Sequence, residues 1–138
     1  MVVTKMLSLR TQGNCDIIDI SPEVQDAISA SRVSQGAVTV FVAGSTAGVT
    51  TIEYEPGLLA DFKAMWERVV PRNLAYHHAR GSGEGNGHSH VRASLLGASL
   101  VVPFVDGRLA LGTWQQIVLV DFDNRPRSRQ VVVQIAGE

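Results

Sequence analysis

The sequence predicts an α+β fold, with helices packed against antiparallel β-sheets in a single domain covering residues 1–138. Three observations predict it. Two apolar stripes at helical spacing lie in the N-terminal half, and the C-terminal third is a run of β-branched segments joined by tight-turn residues. No repeat or linker interrupts the 138 residues, a length that supports one real core.

The elements follow in order. Ser21-Pro22-Glu23 reads as a helix start, with Ser21 as N-cap, proline in the first turn and an acid at the positive dipole end. Val24, Ala27 and Ile28 give its apolar stripe, and Gly36 closes it. Ala37 to Val42 reads as a buried strand and Val49 to Tyr54 as another. Leu58, Leu59, Phe62, Met65, Trp66 and Val69 repeat at helical spacing until Pro71 stops them. Val91 to Leu96 reads as a short helix closed by Gly97. Leu100 to Val105 turns through Asp106-Gly107, a hairpin signal, into Arg108 to Leu111. Gln116 to Phe122 is a strand, turned by Asp123-Asn124-Arg125-Pro126 into Arg129 to Ile135. Runs such as Val131-Val132-Val133 leave little polar face, so a second layer or another subunit must cover these strands; this favours an oligomer.

Composition excludes several functions. Twelve basic against thirteen acidic residues leave a net charge of −1, which gives no footprint for nucleic acid or a membrane surface. No apolar run is long enough to span a bilayer, and the N-terminal residues lack the pattern of a signal peptide. The lone Cys15 permits no intramolecular disulfide, which fits a cytoplasmic protein.

The chemistry concentrates in one window. All four histidines, His77, His78, His88 and His90, lie within residues 77–90, around a loop with glycine at 81, 83, 85 and 87. Such a segment cannot bury itself, so core packing does not explain its composition. His88 and His90 read as a loop-to-helix junction. With His78 folded back across the glycines, they are expected to converge as three imidazoles that hold a divalent ion, zinc above all. The alternative is solvated loop histidines. Glu84 and Asn86 are candidates for a general base and a substrate-orienting amide, or are turn-forming loop residues. Gly44-Ser45-Thr46-Ala47-Gly48 offers hydroxyls and backbone N–H groups to a phosphate, with Arg92 supplying charge, or is a plain strand connection. Trp114 reads as the wall of a pocket or as a core or subunit contact, with Gln115 beside it as a hydrogen-bonding group. Asp121, Asp123, Arg125, Arg127 and Arg129 read as a solvated charged edge.

Ser45-Thr-Ala-Gly-Val-Thr50, Gly87-His-Ser-His-Val-Arg-Ala-Ser-Leu-Leu-Gly97, Leu111-Gly-Thr-Trp-Gln-Gln-Ile117 and Asp121-Phe-Asp-Asn-Arg-Pro126 together resemble the YjbQ family, from about Lys5 to Glu138. The resemblance implies an α+β, YjbQ-like fold and assembly as a homotrimer with clefts between subunits. It implies a site using His78 and His90 with Gln115 nearby. It also implies an activity of the secondary thiamine-phosphate synthase type, a transferase acting on phosphorylated small molecules. The alternative is a non-catalytic trimeric binding protein for a divalent metal or a phosphorylated metabolite. One departure matters: many members carry histidine immediately before the Ser-Thr-Ala block, where this chain has Gly44. A mechanism needing that histidine does not transfer, and His88 is the imidazole available in its place.

Overall fold

The computed structural model describes residues 1–78 and 85–138. In chain order the elements are β1 (Val2–Thr11), β2 (Asp16–Asp19), α1 (Ser21–Ser31), β3 (Gly36–Val42), β4 (Ala47–Ile52), α2 (Pro56–Val69), α3 (Gly87–Leu96), β5 (Ser99–Val105), β6 (Arg108–Leu109), β7 (Gln116–Asp121) and β8 (Arg127–Gly137). They form a five-stranded sheet in the order β1-β8-β3-β5-β6 and a three-stranded sheet in the order β2-β7-β4, with every pairing antiparallel. This is the expected α+β architecture.

The layering follows from which faces are apolar. Val38, Val40 and Val42 of β3, Val131, Val133 and Ile135 of β8, and Phe104 of β5 point inward. They meet Val49, Ile117 and Leu119 of the small sheet, and Ile20, Val24 and Ile28 around α1 close one end. The opposite face of the small sheet, Ile17, Val118 and Val120, packs with Phe122 under Trp66 of α2 and Ala93 of α3. Trp66 meets Phe122 edge-on, with ring centroids 5.0 Å apart. The small sheet is therefore buried on both faces, which is why Ile117-Val-Leu-Val120 needs no polar alternation. For Val131-Val132-Val133 the second layer covers Val131 and Val133 only; Val132 faces outward.

Several expected boundaries move. Strands β1 and β2 were not foreseen. Ile20, not Ser21, is the residue flanking α1, and the Ser21 hydroxyl instead accepts a hydrogen bond from the Ile117 backbone at 2.7 Å, tying the helix to β7. Helix α1 ends on Arg32 in the left-handed conformation, while Gly36 opens β3. Glu55 caps α2 by accepting from the Gly57 and Leu58 amides, with Pro56 at the first position. The hairpin Asp106-Gly107 forms as expected, both residues having positive φ (52° and 73°).

Candidate functional site

Helix α3 begins at Gly87, four residues before the expected start at Val91, and this decides where the histidines point. Asn86 precedes it, its backbone carbonyl accepting from the Ser89 and His90 amides. Gly87 lies so close to Tyr76 that an added Cβ would meet the Tyr76 Cβ at 2.6 Å. Glycine thus lets the start of α3 press against the segment carrying His77 and His78. Because His88 and His90 both lie in the helix, their side chains diverge by about 200°.

The two rings consequently have different surroundings. The half-buried His90 stands against the exposed His78, ring centroids 4.4 Å apart and tilted by 59°. His88 is only 2% exposed and turns inward beside Tyr76, at 6.3 Å between ring centroids. Burial, then the Arg92 and Arg72 charges, push its pKa below the usual histidine value, so it is held neutral. Among the described residues no three His, Cys, Asp or Glu side chains lie close enough to share a metal ion. The expected convergence of His78, His88 and His90 is therefore corrected: the early helix start pairs His78 with His90 and sends His88 elsewhere. Glu84 lies outside the described residues.

The Ser45, Thr46 and Arg92 phosphate cradle does not form as drawn, because its polar groups already have different partners. Ser45 is exposed and Thr46 is buried. The Thr46 hydroxyl donates to Asp123 Oδ2 (3.1 Å) and accepts from Arg129 Nη2 (2.6 Å). Arg92 is buried on α3, with Nε donating to the Val70 carbonyl and Nη2 paired with Glu67, both at 2.9 Å. Gln115 Nε2 donates to Thr51 Oγ1, and its Oε1 accepts from the Gly112 amide. It lines a cavity of about 360 Å³ with Thr51, Leu96 and Leu111, apart from the His78–His90 pair in this chain. Trp114 is 73% exposed and so belongs to no core of this chain.

The acid-rich turn departs furthest from the expected solvated edge. Asp121 and Asp123 are fully buried and Arg129 nearly so; they form the polar centre of the fold, not a solvated edge. Arg129 grips Asp121 through two parallel bonds, Nε to Oδ2 at 2.7 Å and Nη2 to Oδ1 at 2.9 Å. Thr11 donates to Asp121 at 2.6 Å. Asp123 takes bonds from Arg127 (2.7 Å), Thr46 and the Asn86 amide (3.4 Å), which locks the residue before α3 to the β7–β8 turn. Burial alone would raise the Asp123 pKa, but bonds from Asn124, Arg127, Asn86 and Thr46 outweigh it and hold the carboxyl below its usual value. Arg127, Arg125, Asn124 and Asn86 line a small cleft over this network.

A stability prediction follows from both shifts. His88 is harder to protonate folded than unfolded, so its contribution is intact above the usual histidine pKa of 6.5 and declines as pH falls below it. Asp123 adds a second loss as pH falls below the usual value of 3.8. Urea unfolding across pH 4–8 is expected to show stability falling below pH 6.5; a His88→Phe variant that keeps the same slope contradicts the assignment to His88.

The family profile described as UPF0047 protein YjbQ-like matches residues 5–138. The chain belongs to the YjbQ/UPF0047 family. A UPF0047 protein from Methanothermobacter thermautotrophicus is 38% identical over 137 residues, covering 99% of this chain and 94% of the relative. A UPF0047 protein from Archaeoglobus fulgidus is 41% identical, covering 93% and 97%. The crystal structure of a YbjQ-like protein of unknown function from Sulfolobus solfataricus superimposes with a TM-score of 0.93 at 31% identity, covering 100% of this chain and 99% of that one.

Within this YjbQ/UPF0047 chain, Gly44 has a local reason. Its φ is +129°, and a Cβ there would stand 2.7 Å from Arg129 Nη1. A side chain at position 44 must displace the guanidinium that holds Asp121. The signal that would have exposed the buried network was Asp121 and Arg129 flanking the turn between two apolar strands, at positions where the strand pattern calls for inward-facing residues.

Proposed function

We propose that this YjbQ/UPF0047 chain is a transferase for phosphorylated small molecules, of the thiamine-phosphate synthase type, working as a homotrimer at a site between subunits. The observation that carries this reading is the His78–His90 pair, an exposed and a half-buried imidazole 4.4 Å apart, His90 standing on the first turn of a helix anchored through Asn86 to a buried Asp–Arg network. Paired imidazoles can donate hydrogen bonds or a proton to a departing oxyanion. In the reaction class implied, the C–O bond of a pyrimidine methyl diphosphate breaks and pyrophosphate leaves with the electron pair. The nitrogen of a thiazole phosphate forms the new C–N bond. His78 and His90 would meet the negative charge on the leaving group, and the Arg125–Arg127 cleft lies at the Asp123 end of the same network.

Trimer formation is part of the proposal, because Gln115 and the exposed Trp114 lie away from the chain's own histidine pair and would complete a neighbour's site. A second reading, a non-catalytic binder of a divalent ion, draws on the same two imidazoles. The described residues do not provide the three protein ligands of a catalytic zinc centre, so a further ligand would have to come from Glu84 or a neighbouring subunit.

Titration calorimetry with pyrophosphate separates these readings. The transferase reading expects saturable binding by the wild type, weakened in His90→Ala and in Trp114→Ala. Binding that is absent, or equal in all three proteins, contradicts it. Stoichiometric zinc lost in His90→Ala, with no pyrophosphate binding, favours the second reading.

A further inference from the structure

Behind α3, on the side away from His90, lies a second polar cavity of about 180 Å³, lined by Asn14, Cys15, Lys63, Glu67, Arg72, His88 and Arg92. Its back wall carries an unsatisfied group. His88 is 2% exposed, and its Nδ1 has no hydrogen-bond partner among the described residues. Its Nε2 has only a long 3.4 Å contact to Ser89 Oγ, whose proton is committed to the Phe122 carbonyl at 2.6 Å. A buried polar atom left in this state is destabilising unless something in the cavity answers it.

The charges around it decide what that is. Lys63, Arg72 and Arg92 face one carboxylate, Glu67, which is already spent: it accepts from Arg92 at 2.9 Å and pairs with Arg72 at 3.4 Å. Lys63 has no ion pair among the described residues, and Arg92 uses Nε and Nη2 but leaves Nη1 without a protein partner there. Burial pushes the Cys15 thiol up to about 11, so it adds no negative charge. Among the residues lining the cavity three cations face one carboxylate, an excess of positive charge that Asp16, which also acts on Cys15, offsets only in part. Its volume is well below the roughly 300 Å³ at which pockets for whole small molecules begin, and suits one tetrahedral or planar oxyanion.

We propose that this cavity is a phosphate-type oxyanion site, separate from the His78–His90 pair, in which Lys63, Arg72 and Arg92 take the oxygens and His88 donates in its Nδ1–H form, giving up the weak Nε2–H contact to Ser89. It thereby gives Arg92 the phosphate role foreseen from the sequence, with Lys63 and His88 as partners in place of Ser45 and Thr46.

The test uses the whole chain with inorganic phosphate and, separately, glycerol phosphate, followed by calorimetry and side-chain NMR of the histidines. Lys63 and Arg72 are exposed, so Lys63→Met and Arg72→Gln leave the core intact. The expected result is one saturable phosphate per chain, a shifted His88 ring signal, and affinity reduced about tenfold or more in either variant, the loss of one charge-assisted bond. His90→Ala should leave this binding unchanged, which separates it from pyrophosphate binding at the paired histidines. If both probes bind, the site takes the phosphoryl group of a larger molecule; if inorganic phosphate alone binds, it holds the free ion. No saturable binding by either probe, an unmoved His88 signal, or wild-type affinity retained in Lys63→Met and Arg72→Gln overturns the proposal.

Discussion

Replacing Arg129 with methionine is expected to lower the unfolding free energy by about 3–5 kcal/mol, because it strands the Asp121 carboxylate as an unpaired charge in the interior. Asp121 is fully buried, and Arg129 supplies two of its bonds while also bonding Thr46. The Asp121→Asn/Arg129→Met double variant should lose less than the sum of the two single changes, since no isolated charge remains. Urea unfolding measures all three. A loss within about 0.5 kcal/mol for Arg129→Met, the range of an ordinary surface change, would return the pair to the solvated edge expected from sequence.

Phe41→Glu is expected to dissociate the proposed homotrimer into folded monomers. The outer face of the five-stranded sheet presents three cross-strand rows, Met6-Val132-Phe41-Ser99, Thr4-Gln134-Thr39-Val101 and Val2-Ala136-Ala37-Pro103, and none of these residues carries a charge. Val2, Met6, Phe41 and Val101 are exposed there, Val101 by 62%. These rows carry no charge, and their exposed apolar residues, though divided by the polar Thr4-Gln134-Thr39 strip, suit this face to association. A carboxylate at Phe41, opposite Val132, would have to be desolvated on association. Light scattering should give about three times the 14.8 kDa chain mass for the wild type and one chain mass for the variant, with unchanged circular dichroism. A monomeric wild type contradicts both the interface and the shared site.

The legible parts of the fold were those with strong local signals. The turn at Asp106-Gly107, the β3, β5 and β7 runs and the Leu58–Val69 stripe specify their own structure over a few residues. Strand β1 was illegible because its apolar side, Val3, Leu7 and Leu9, is only partly buried and is interrupted by Lys5. The start of α3 was misplaced because Gly87 is a poor helix former; its close contact with Tyr76, a tertiary effect, favours glycine there. That four-residue shift sent His88 and His90 to opposite sides of a helix. The clustering of histidines pointed to a meeting of His78, His88 and His90, whereas the helix start leaves only His78 and His90 side by side. The orphaned His88 and the Asp121–Arg129 pair were not, since charged residues beside a turn ordinarily face water.

Transferase activity at the paired histidines is tested by product formation from a pyrimidine methyl diphosphate and a thiazole phosphate by the wild type, His78→Ala and His90→Ala, with pyrophosphate release followed in parallel. A C–N-joined product with equimolar pyrophosphate is expected from the wild type. The rate should fall about 10²–10⁴-fold in either histidine variant, the usual weight of a proton-transfer group. Pyrophosphate release at the uncatalysed rate, or a wild-type rate retained by both variants, would contradict it.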